Sequence, residues 1–172
     1  MKHLFFSSDL GLKSNSVCVD STILKKFSYG KVVLKESLRM FPVSVGVGRV
    51  LPINSVFSGF HVPAGTVVVT QNQVSCRLPQ YCPDPDQFRP ERWIKGHPDF
   101  QGLDPYLSLP FGFGPRMCIG RRVAEQSLLI LMIKLLQSFQ IEWAADYQEI
   151  DSVSYLINQP DKPIKLRFKR ID

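Results

Sequence analysis

Cysteine is scarce in this 172-residue chain. The four present, Cys18, Cys76, Cys82 and Cys118, are too few and too scattered for a disulfide scaffold, which points to a reducing compartment. No pair has C-x₂₋₄-C spacing, Cys76 and Cys82 have no histidines nearby, and no C-x-x-C-H occurs, so a zinc site and a covalently tethered prosthetic group are both excluded. Histidine is nearly as rare, and His3, His61 and His97 lie far apart in sequence, where they read as structural or surface residues. Long apolar runs are missing too. The best one, residues 128–133 and then Leu135 and Leu136 past Lys134, falls far short of the ~20 residues that span a bilayer. Residues 1–6 are apolar but too brief for a secretory signal, and the first thirty residues contain no arginine, unlike a mitochondrial transit peptide. Any targeting address is therefore expected outside this stretch. The net charge of +6 and a pI of about 9.3 suit an acidic partner or an anionic membrane surface. Nucleic-acid binding is not expected, since no finger or recognition-helix pattern is present.

What is present describes a globular protein: 44% hydrophobic and 21% charged residues, enough for one domain with its own core. Residues 1–20 are serine-rich and without periodicity, and read as an unassigned, disordered start. A cap at Asp20-Ser21-Thr22 opens a short helix that Gly30 is expected to interrupt. Residues 31–40 form a helix that Pro42 ends. Residues 43–50 alternate β-branched with small residues and read as a strand. Residues 56–62 and 66–70 read as a hairpin turning at Pro63-Ala64-Gly65. Residues 71–110, with seven prolines, are expected to be mostly loop, and so long an irregular stretch asks for a functional reason. Residues 121–139 form a second long helix, apolar over most of its circumference and so expected to be buried nearly all round. In the tail, residues 150–158 and 164–168 read as two strands around residues 159–163. The fold class is α+β, mainly helical, with small sheets.

The chemistry gathers in Phe111-Gly112-Phe113-Gly114-Pro115-Arg116-Met117-Cys118-Ile119-Gly120. Glycines let backbone approach a flat ligand closely. The arginine before Cys118 and the helix N-terminus after it both favour negative charge on the sulfur, and thiolate is the form that binds a metal. Phe111-x-x-Gly114-x-Arg116-x-Cys118-x-Gly120 resembles the haem-binding loop of the cytochrome P-450 superfamily, with every fixed position filled. Glu36-Ser37-Leu38-Arg39 resembles that family's E-x-x-R motif, and Phe88-Arg89-Pro90-Glu91-Arg92-Trp93 its P-E-R-aromatic motif.

The resemblance covers roughly residues 21–172 and implies the C-terminal haem-thiolate portion of a longer enzyme. It implies haem b with Cys118 as axial thiolate, Arg49 and Arg116 as propionate partners, and Glu36, Arg39 and Arg92 as a buried structural network. It also marks Val43, Val45 and Val47, with Ser152, Val153, Ser154 and Tyr155, as substrate-pocket wall. The implied activity is O2-dependent hydroxylation of a lipophilic substrate, and the alternative is a haem-binding module without catalysis of its own. Nothing in the chain resembles the family's long central helix with its acid-Thr pair, nor its N-terminal helices.

Lys31 and Lys35 lie about 40° apart round their helix while Glu36 lies a further ~100° away, so one face can pair inward as the other stays free. That pair, with Arg121 and Arg122 after Gly120, is similar to the pattern of mitochondrial members, where it docks an acidic ferredoxin. This implies a mitochondrial inner-membrane, matrix-side location, with peripheral membrane association. Val56-Phe57-Ser58-Gly59 and Thr70-Gln71-Asn72 resemble the insect ecdysteroid-hydroxylating members, which implies a steroid substrate.

Overall fold

The computed structural model describes residues 18–146, 148–155 and 157–171. The expectation of a disordered start therefore lies, through residue 17, outside the described residues. Helix α1 (Ser21–Lys26) begins where the Asp20 carboxylate accepts hydrogen bonds from the Thr22 and Ile23 amides, both at 2.9 Å, satisfying two donors that a helix start leaves free. Helix α2 (Ser28–Met40) follows after Phe27 alone. The break thus falls at Phe27, and Gly30 sits inside α2. A side chain at position 30 would place its Cβ 2.1 Å from the Phe27 ring, so this glycine makes room for an aromatic rather than ending a helix.

Strand β1 (Val47–Val50) is shorter than its alternating sequence suggests, because residues 43–45 bend instead. Strands β2 (Ser55–Phe57) and β3 (Phe60–Val62) pair antiparallel, and β4 (Val67–Thr70) pairs with β1. The hairpin expected around Pro63-Ala64-Gly65 is therefore corrected. Its turn is Ser58-Gly59, whose φ values of 49° and 86° suit a tight two-residue connection, and the Pro/Gly cluster redirects the chain to β4. The proline-rich stretch is loop, apart from helix α3 (Asn72–Ser75) and a 3₁₀ turn at Pro90–Trp93.

Helix α4 (Arg121–Ser138) runs into β5 (Phe139–Trp143). Strand β6 (Ser152–Ser154) pairs with β7 (Asn158–Pro160), and β8 (Leu166–Arg170) pairs with β5. The two tail strands expected to face each other thus go to different partners. Side-chain period alone does not choose a partner; an edge-to-face Phe139–Phe168 contact, 5.7 Å between centroids, helps fix the β5–β8 pair.

Among the described residues one core cluster centres on Phe27, Leu129 and Ile133, with Ile23, Leu24, Leu34, Met132 and Leu136 around it. It joins α1 and α2 to α4. A second cluster holds Cys76, Cys82 and Leu107. The expectation that α4 is buried nearly all round does not hold in this chain. Only Leu129, Ile133 and Gln137, one i, i+4, i+8 stripe, are buried, while Val123, Leu128, Ile130 and Leu131 face outward, because α1 and α2 cover a single side.

Candidate functional site

Three buried charges hold the loops that shape the site. Glu36, Arg39 and Arg92 are each fully buried. Arg39 lies one turn from Glu36 on α2 and forks onto its carboxylate with two bonds of 2.9 Å. Arg92, on the 3₁₀ turn, donates to the same carboxylate at 3.0 Å, as do the Arg89 amide at 3.0 Å and the Trp93 indole at 2.8 Å. Burial would push the Glu36 carboxyl up, but the bonds from Arg39, the Arg89 backbone and Trp93 outweigh it and hold the group below the usual carboxylate range. The remaining guanidinium donors reach loop carbonyls: Arg39 to Cys76, and Arg92 to Pro83, Asp84 and Gln87. Arg92 also bonds the Gln101 side chain and lies 3.5 Å from the Cys82 sulfur. One three-residue unit therefore fixes the proline-rich loop at several points.

The cysteine loop closes on itself. The Cys118 amide donates to the Phe111 carbonyl at 2.8 Å, and Gly112 and Gly114, both at φ 73°, make the reversals between them, a conformation glycine adopts without strain. A Cβ at Gly114 would meet nothing within 4 Å, and one at Gly120 would lie 3.9 Å from the Cys118 sulfur. The thiol is exposed, and Ile119 beside it is fully exposed. Gly112 lies next to Val47, which brings β1 alongside the loop. Arg49 on β1 donates to the Arg116 carbonyl at 3.2 Å, so the two candidate propionate residues share one neighbourhood. The Asn72 side chain, largely buried, holds the loop's approach by donating to the Leu109 carbonyl.

Lys31, Lys35, Arg121 and Arg122 line one cleft of about 910 Å³ between α2, α4 and the cysteine loop. Lys35 places its ammonium 3.8 Å over the Trp93 ring, and burial together with the charge of Arg121 lowers its pKa. Arg121 pairs with Glu125 at 2.9 Å, which relieves part of the misfit of a cation in the first turn.

The candidate pocket residues are joined through Asn158 on β7. Its amide donates to the Val43 carbonyl at 2.9 Å, and its side chain bridges the Pro42 carbonyl and Gln73 at 2.8 and 3.0 Å. This ties the β6–β7 hairpin, with Ser152, Val153 and Ser154 on β6 and exposed Tyr155 following, to the residues that precede β1. Val45 lies between Val43 and Val47, and its carbonyl accepts the Gln73 amide at 3.2 Å. Sequence reasoning missed Asn72, Asn158 and the linking role of Trp93. Asn158 carries no pattern that would single it out, whereas Asn72 and Trp93 sat inside stretches already noticed for other reasons.

A fold of helices and small sheets built round a cysteine loop and a buried Glu-Arg-Arg unit belongs to a haem-thiolate class. The cytochrome P450 family pattern matches residues 12–168, and the chain belongs to that family. It is 49% identical over 145 residues to a Drosophila melanogaster protein, mitochondrial cytochrome P450 302a1, covering 83% of this chain and 29% of that one. It is 42% identical over 149 residues to the mitochondrial cholesterol side-chain cleavage enzyme of Hypanus americanus, covering 87% and 28%. A further Drosophila melanogaster relative, probable cytochrome P450 49a1, is 39% identical over 132 residues. The chain spans less than a third of the length of these relatives.

The family's cofactor is haem b with a cysteine thiolate on the iron. The residues present fit it: an exposed sulfur in a loop with open space beside Gly114, and the Arg49 guanidinium held at the Arg116 carbonyl two residues before that sulfur. No group of three or more His, Cys, Asp and Glu side chains that could hold a bare metal ion occurs among the described residues.

Proposed function

We propose that this chain is the C-terminal haem-thiolate portion, spanning residues 21–172, of a mitochondrial cytochrome P450 monooxygenase. The observation that carries the reading is the exposed Cys118 thiol in a loop closed by its own backbone bond, with Arg49 and Arg116 adjoining it. In this reading Cys118 is the axial ligand, and Phe111, Gly114 and Gly120 shape the loop. Arg49 and Arg116 bind the propionates, and Glu36, Arg39 and Arg92 keep the loops in place. When bound, the haem supplies O2 activation, so that one oxygen atom enters a substrate C–H bond and the other leaves as water. The segments before β1 and the β6–β7 hairpin wall the pocket, and Asn158 keeps them together. The outward apolar faces of α4 are where the rest of the full-length enzyme packs.

Lys31, Lys35, Arg121 and Arg122 form the docking face for an acidic ferredoxin that delivers electrons. Two mitochondrial relatives support a mitochondrial location, on the matrix side of the inner membrane. The substrate is a lipophilic steroid. The local likenesses at residues 56–59 and 70–72 favour an ecdysteroid precursor, hydroxylated as by the insect 22-hydroxylase called disembodied.

The test is spectroscopic. The ferrous–CO form of the haem-loaded protein should show the red-shifted Soret band of thiolate ligation, Cys118→His should abolish it, and Cys76→Ser should leave it in place. A red-shifted band in Cys118→His ends the assignment.

A further inference from the structure

The pocket wall before β1 is held by its backbone. Pro42 and Val43 offer their carbonyls to Asn158, and the Val45 carbonyl accepts the Gln73 amide at 3.2 Å. At Gly46 a Cβ would lie 1.7 Å from the Thr70 carbonyl oxygen, so any side chain there would push the wall off β4. The Val47 amide donates to the Thr70 hydroxyl at 3.0 Å. Anchored in this way, the wall leaves the side chains of Val43 and Val45 to the pocket.

Helix α3 links this wall to the cysteine loop, because two adjacent residues on it reach to different places. Asn72, largely buried, donates to the Leu109 carbonyl, which also accepts the Gly112 amide of the cysteine loop. Gln73 holds the Val45 carbonyl with its backbone and accepts from the Asn158 side chain with its own Oε1 at 3.0 Å. The Asn158 Nδ2 therefore faces two acceptors, Pro42 and Gln73. A side-chain amide nitrogen carries two protons, and both are used.

We propose that Gln73 and Asn158 are positioning residues for substrate selection: their amide clasp sets the gap between residues 42–45 and the β6–β7 hairpin, and α3 references that gap to the cysteine loop. A long apolar substrate lies in the gap, and its tail gains affinity while both walls stay against it. This rests on the haem-thiolate and pocket readings above and adds to them the pair of side chains that fixes the pocket's width.

The experiment titrates the haem-loaded full-length protein with N-ethylimidazole and N-dodecylimidazole, whose free ring nitrogen binds haem iron and shifts the Soret band. The short probe reports the iron, and the difference between the two reports the walls. In Gln73→Leu the advantage of the dodecyl chain should fall about tenfold, as expected from re-exposing roughly 55 Å² of apolar surface, while N-ethylimidazole binds as before. Gln73→Glu keeps an acceptor for Asn158 and should keep the advantage. Asn158→Asp sets an acceptor against the Pro42 and Gln73 oxygens and should lose it as Gln73→Leu does. Independently of haem, hydrogen exchange at the Asn158 amide, which donates to Val43, should be faster in Gln73→Leu than in Gln73→Glu. If both probes weaken equally, or if Gln73→Glu behaves as Gln73→Leu does, the two residues are structural support and the clasp is overturned. If the native protein gives neither a red-shifted ferrous–CO band nor a Soret response to the imidazoles, the haem-thiolate reading falls, and the exchange comparison judges the clasp by itself.

Discussion

The charged centre of this molecule and its most apolar helix have exchanged the roles that hydrophobicity alone would give them. Glu36, Arg39 and Arg92 have no exposed surface, while Val123 and Leu131 on α4 are 68% and 53% exposed. The difference lies in what each has for neighbours. Five donors converge on the Glu36 carboxylate, and buried charge is tolerable when every polar atom has a partner. Helix α4 meets α1 and α2 on one side, so among the described residues its Val123, Leu128, Ile130 and Leu131 are left exposed. Burial here follows completeness of contact, whether polar or apolar.

The largest test of that contrast is to break the charged unit. Glu36→Ala or Arg92→Ala should each cost about 3–5 kcal/mol, because the remaining charges stay buried and uncompensated. The double variant should cost clearly less than the sum of the two in denaturant unfolding, and strict additivity would deny that they act as one unit. Next comes a comparison within α4. Ile133→Ala should cost about 2–5 kcal/mol, whereas Leu131→Ala, two residues away, should change stability by no more than about 0.5 kcal/mol, both read from urea midpoints. Both are measured on this chain by itself, where a large loss at Leu131 would mean that the outward side of α4 is covered within the chain.

The smallest effect is a pH dependence. The folded Glu36 carboxyl is held below its unfolded value, which is about 4.3. Its contribution to stability is therefore present above that pH and lost as pH falls through the folded value. Unfolding midpoints measured from pH 7 down to pH 3 should fall more steeply in the native protein than in Glu36→Gln.

How much of this was legible in the chain depended on distance along it. The i, i+3 spacing of Glu36 and Arg39 makes their contact readable from helix geometry, and Pro42 marks where α2 ends. The closing loop around Cys118 is likewise local, set by its glycines. Pairings between distant strands were not readable. Residues 66–70 suit β3 or β1 equally by side-chain alternation, and the choice of β1 comes from tertiary packing. Residues 164–168 look like a partner for the preceding strand, yet the chain takes them to β5, where Phe168 meets Phe139. Asn158 illustrates the same limit, since its three bonds reach residues 42, 43 and 73 and nothing near it in sequence foretells them.

The surroundings of Cys76 and Cys82 have a chemical consequence. The Cys76 thiol donates to the Arg39 carbonyl at 3.1 Å, Cys82 lies against Arg92, and both are buried, whereas Cys18 and Cys118 are exposed. Burial also pushes the Cys76 thiol up, away from its reactive form. The chain therefore carries its own stopwatch. An alkylating reagent meets two sulfurs at once, and it reaches the other two only in the moments when the Glu36 unit comes apart, so the lag between the two pairs counts how often the centre of the molecule opens.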